Sequence, residues 1–96
     1  MTPPFSVRTT AAFDRVTKKL ASKHADVTDV YAQAIAVLAA DPYNRSRTHH
    51  IKKLEAIARG EGQWRLRLAR WRFRYDIISR EIILHYCGLR RENTYR

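Results

Sequence analysis

A chain of 96 residues makes one small domain, here residues 1–96, with a single modest core. An apolar fraction of 45% exceeds what a disordered basic tail carries, and the lone cysteine, Cys87, excludes a disulfide-stapled secreted scaffold. The net charge of +10 points to a polyanion or a strongly acidic protein as partner, and the absence of a signal-like or membrane-length apolar run makes a cytoplasmic protein without membrane contact the expectation.

Residues 5–9, FSVRT, alternate in character after Pro3-Pro4 and predict a short first strand. Thr9 or Thr10 then caps a helix with Phe13, Val16 and Leu20 on one face and Arg15, Lys18 and Lys19 turned mostly to solvent. A second helix starts with Asp26 as N-cap and Asp29 in its first turn. It buries Val30, Ile35, Val37 and Leu38, and Asp41-Pro42 stops it. PYNRSRTHH reads as a polar connector, and IKKLEAIARGEG leads to a Gly60/Gly62 turn without a clear period of its own. From there the period switches to two, which predicts strands near 63–69, 71–78 and 81–88, followed by the basic tail GLRRENTYR. The expected fold is α+β in the order β-α-α-β-β-β, with two N-terminal helices on one face of a mainly antiparallel sheet of about four strands.

Charge is concentrated in the second half. Residues 1–44 hold five Lys/Arg against four Asp/Glu, and residues 45–96 hold fourteen against five. A reversal about Ala69-Arg70 sets Leu68 opposite Trp71, Leu66 opposite Phe73 and Trp64 opposite Tyr75. A second reversal about Ser79-Arg80 sets Ile77 opposite Ile82, Tyr75 opposite Leu84 and Phe73 opposite Tyr86. One face is then apolar and aromatic. The other receives Arg65, Arg67, Arg72, Arg74, Asp76, Ile83, His85 and Cys87. Like charges facing across a ladder cost up to ~1 kcal/mol per pair, so a face with four arginines and one carboxylate is better explained by phosphate contact than by solvation. Arginine suits that task through its planar, permanently charged donor fork.

No phosphate-binding glycine loop, GxSxG, HExxH or paired cysteine is present, so no cofactor and no metal is expected. His49-His50 reads as two surface residues in a polar loop. One of Lys52 and Lys53 can point at the arginine face as a base. His85 is either a proton donor or acceptor on that face or a half-buried residue beside Ile83, and Cys87 has a packing role. Tyr95 follows Arg90-Arg91, a combination suited to stacking an unpaired base while holding its phosphate.

The segments IKKLEAI, QWRLRLARWRFRYDI and EIILHYCGLRRENTYR resemble the RelE/ParE superfamily of bacterial toxins, whose pattern is a lysine-leucine segment, an arginine-rich hairpin and a closing strand with a basic, tyrosine-terminated end. The likeness spans nearly the whole chain. It implies a toxin neutralised by a cognate acidic antitoxin in a hetero-oligomer that reaches operator DNA only through the antitoxin. The RelE branch further implies an endoribonuclease that cuts mRNA on the ribosome by attack of a 2′-OH on the adjacent phosphate. On that resemblance Lys52 or Lys53 is base or electrostatic stabiliser, Arg72 binds phosphate, Arg90 is acid or clamp, and Tyr95 stacks the base or relays a proton. The face arithmetic and the basic tail, rather than the resemblance, add Arg65, Arg67, Arg74, Arg91 and His85 to the RNA-binding set, and Arg70 is the nearest counterpart of a family arginine at the hairpin tip. Ala56 and Ala69 stand where the family carries glycine, and Leu89 where it often has histidine. The resemblance equally implies, as an alternative, a ParE-like gyrase inhibitor without ribonuclease activity, and the basic charge alone fits a non-catalytic nucleic-acid-binding module.

Overall fold

A computed structural model describes residues 4–89. Its elements are β1 (Ser6–Thr9), α1 (Ala11–Ala21), α2 (Val27–Ala40), β2 (His50–Lys53), β3 (Trp64–Leu68), β4 (Trp71–Ile78) and β5 (Glu81–Leu89). Thr10 caps α1 by accepting from the Phe13 N–H at 3.0 Å. Asp26 marks the start of α2 as expected, but its carboxylate makes no cap hydrogen bond and is engaged elsewhere.

The sheet has five strands in the order β1-β5-β4-β3-β2, with β1 parallel to β5 and the remaining pairs antiparallel. The α+β class with two helices and a mainly antiparallel sheet therefore holds, the parallel β1–β5 pair makes the sheet mixed, and the strand count rises from about four to five. The added strand is HIKK, which pairs His50 with Arg67, Ile51 with Leu66, Lys52 with Arg65 and Lys53 with Trp64. Only Ile51 in that segment is an apolar marker, so four residues carried too little alternation to announce a strand.

The hairpin registers bear out the pairing arithmetic across β3 and β4 residue for residue, from Trp64–Tyr75 to Leu68–Trp71. Between β4 and β5 the expected register holds from Ile78–Glu81 to Tyr75–Leu84, and then shifts by one residue at a bulge, so that Arg74 pairs with Tyr86 and Phe73 with Cys87. His85 is the extra residue. The slip exchanges the faces of everything beyond it. Cys87 packs in the core at 1% exposure, and Tyr86 emerges at 48% exposure on the opposite face, the reverse of the sequence expectation for both.

The core lies between the helices and the inner face of the sheet. Phe13, Val27, Ala34 and Leu38 meet Leu66, Trp71, Phe73, Tyr75, Ile82 and Leu84 there, all without solvent exposure. Each large side chain so buried contributes ~1.5–3 kcal/mol. The Tyr75 hydroxyl donates to the Pro42 carbonyl at 2.7 Å, which satisfies the one polar atom this ring brings inside.

Candidate nucleic-acid interface

The outer face of the sheet is where the arginines collect. Lys52 pairs with Arg65, Arg65 with Arg74, and Arg67 with both His50 and Arg72, so the pleat points these side chains away from the helices. Alternation resolves the two lysines. Lys52 joins the basic face, whereas Lys53 shares the inner side with Trp64, its Nζ 5.7 Å from that ring's centroid.

An open basin of about 700 Å³ is set into this face, lined by Lys52, Leu54, Glu55, Ile57, Arg65, Arg72, Arg74 and Tyr86. A smaller depression of about 270 Å³ beside it, lined by His49, His50, Ile51, Lys52, Arg65 and Arg67, continues the cationic surface toward β2. Lys52 and Arg65 border both. Arg65 Nε is buried and without a hydrogen-bond partner among the described residues.

One rim of the basin is the loop joining β2 to β3, and Asp76 organises it. This carboxylate, 1% exposed, accepts the backbone N–H groups of Gly60 at 2.8 Å, Gly62 at 3.2 Å and Gln63 at 3.0 Å. His85 Nε2 lies 2.8 Å from its Oδ2. Burial pushes the Asp76 carboxyl up, but the three N–H groups and His85 together hold it below its ordinary value. Asp76 thus ties the loop to β4 through those three bonds. Arg74 grips the same loop from above, donating from Nε to the Gly62 carbonyl at 3.1 Å and from Nη2 to the Glu61 and Gly62 carbonyls at 3.0 Å each. A Cβ at Gly62 would sit 2.9 Å from that of Arg74, so glycine permits the close approach, and its φ of +84° suits glycine as well.

The expected phosphate-binding residues therefore divide. Lys52, Arg65 and Arg72 come together around the basin, and Arg67 extends the face. Arg74 lines the basin while its guanidinium holds loop carbonyls. His85 sits half-buried in the bulge against Asp76. Arg70 is a correction: it turns to the helix side, where Nη2 donates to Asp26 Oδ1 at 3.0 Å and Nε to Oδ2 at 3.3 Å, and where its guanidinium carbon lies 5.4 Å from the Trp71 ring centroid. Trp71 Nε1 donates to the same Asp26 at 2.9 Å. Arg70 and then Trp71 hold the Asp26 carboxyl down at about 2. The turn geometry aims residue 70 away from the basic face, which pairing within the strands did not reveal. Lys53 is likewise removed from the site. Arg90, Arg91 and Tyr95 lie outside the described residues.

Sequence reasoning missed four of the lining residues, Leu54, Glu55 and Ile57 on the loop after β2 and Tyr86 on β5, and of these Tyr86 left a signal. Its signal was the neighbouring Cys87-Gly88: cysteine is well suited to a core position, and a glycine two residues beyond a tyrosine leaves room for the ring to lie along the strand. Among the described residues no group of three or more His, Cys, Asp or Glu side chains is placed to hold a metal ion. No helix among them is long and apolar enough to cross a membrane. Comparisons with protein-family models, curated proteins and solved structures gave no match.

Proposed function

We propose that this chain is a RelE-type toxin, a ribosome-dependent endoribonuclease neutralised by an acidic antitoxin. The observation that carries the reading is the convergence of Lys52, Arg65 and Arg72 on one open basin, on a face whose buried carboxylate, Asp76, is committed to three backbone N–H groups. The residue resemblance described above supplies the reaction class. In that reaction a ribose 2′-oxygen attacks the adjacent phosphorus and the bond to the 5′-oxygen breaks, leaving a 2′,3′-cyclic phosphate and a 5′-hydroxyl. Lys52, which lines the basin, takes the 2′-OH proton or stabilises the negative charge that builds on the phosphate in this reading. Arg65 and Arg72 hold the phosphate oxygens through charge-assisted hydrogen bonds. Protonation of the leaving oxygen falls to Arg90 with Tyr95 on the resemblance. An acidic antitoxin would cover the same cations and so exclude mRNA.

Primer extension on mRNA in a reconstituted translation reaction tests this. Added protein is expected to give cuts within the codon occupying the ribosomal A site. Intact mRNA beside an active control enzyme contradicts the reading, and intact mRNA together with trapped gyrase–DNA complexes would replace it with gyrase inhibition.

A further inference from the structure

We propose that Tyr86 is a base platform of this face: an unpaired nucleobase stacks on its ring while the attached phosphate is held by the basin's cations. The inference deepens the polyanion reading of the face and rests on it. Three features carry it. First, the bulge at His85 turns the tyrosine out of the core and into the lining of the basin, beside Lys52, Arg65 and Arg72. Second, nearly half of its surface is open, at 48%, and no hydrogen bond of the hydroxyl to a described residue explains why an aromatic ring is kept there. A large apolar ring on a strongly cationic surface gains nothing from water, whereas base–aromatic stacking beside phosphate-binding groups is how single-stranded nucleic acid is gripped without sequence readout.

Third, the strand is built to receive the ring. A Cβ at position 88 would overlap the Tyr86 hydroxyl and lie 2.6 Å from Cζ and 2.8 Å from Cε2, so the hydroxyl end of the ring occupies the space that glycine leaves empty. Gly88 pairs with Arg72, which brings the phenol end alongside that arginine's position on β4. The arrangement therefore fixes the ring against the sheet one strand away from an expected phosphate-binding residue. Any base has a π-face, so the site selects unpaired nucleic acid over duplex rather than one base over another.

Binding of a single-stranded RNA oligonucleotide, 2′-O-methylated so that no 2′-OH attack is possible, tests this against inorganic polyphosphate as a base-free polyanion. Tyr86→Ala is expected to weaken RNA binding on the order of tenfold and leave polyphosphate binding unchanged. Tyr86→Phe should bind RNA as the wild type does, and Gly88→Ala, which displaces the ring, should weaken RNA binding selectively. Equal losses for RNA and polyphosphate, no loss in Tyr86→Ala, or a loss in Tyr86→Phe would overturn the proposal. Because the probe is uncleavable, absence of mRNA cuts in the translation reaction bears on the catalytic reading alone. Unchanged RNA affinity in Tyr86→Ala, with cuts still present, bears on the platform alone.

Discussion

At the scale of single residues, Asp76 shows how one buried carboxylate can organise the rim of a cationic basin. It spends its lone pairs on Gly60, Gly62 and Gln63, and the loop that rims the basin hangs from those bonds. Asp76→Ala strands three donors, and urea denaturation should register a loss of about 2–4 kcal/mol. The sign of the pH dependence follows from the depressed carboxyl: its unfolded value near 3.8 lies above the folded one, so this stabilisation is complete above that value and disappears as pH falls through the folded value. Acid titration of wild type and Asp76→Asn should show it, the variant losing less stability on acidification. Cys87 gives the opposite sign. Burial raises its thiol to about 12, so the unfolded chain ionises first and stability declines once pH exceeds about 9. The native thiol should resist a thiol-specific reagent at pH 8 and react fully in denaturant; rapid labelling of the native protein would mean that Cys87 is not in the core.

At the scale of elements, the hairpin joining β3 and β4 was legible because two-residue periodicity and a single reversal point leave one register that buries Leu66, Phe73 and Tyr75 together. Its tip places an alanine where the family it resembles carries glycine. Ala69 adopts φ +53° and Arg70 does not take a positive φ, the sign pattern of a type II′ turn made without glycine. Ala69→Gly relieves a left-handed alanine and adds flexibility to the unfolded chain, for a net gain of roughly 0.5–1 kcal/mol measurable as a higher urea midpoint. A lower midpoint would mean the turn is not strained. The closing strand was only half legible. Both Tyr86 and Cys87 are acceptable core residues, and a bulge is decided by which of them packs better under the helices, a tertiary choice that strand alternation cannot express. Strand β2 escaped for a different reason, since its outward lysine and inward lysine look alike until pairing with β3 assigns them faces.

Over the whole molecule, the helices cover one face of the sheet and leave the other to charge. That division was readable from composition and alternation. The separation of Lys52 from Lys53, the retirement of Arg70 to the helix side and the emergence of Tyr86 were not, because each depends on a turn, an edge pairing or a bulge. The face as a whole makes a quantitative prediction. Single-stranded RNA affinity should fall steeply with salt, and neutralising Arg65 or Arg67 should each reduce the slope of log K against log salt by about 0.7, while Arg70→Gln leaves it nearly unchanged. An equal effect at Arg70 would contradict the assignment of its guanidinium to Asp26. The most direct test of the central claim compares wild type, Lys52→Ala and Lys53→Ala by primer extension in the same translation reaction. Expected are A-site cuts with wild type and Lys53→Ala, and a loss on the order of 100-fold in cutting rate with Lys52→Ala. Cuts undiminished in Lys52→Ala, or no cuts with wild type beside an active control, would contradict that claim.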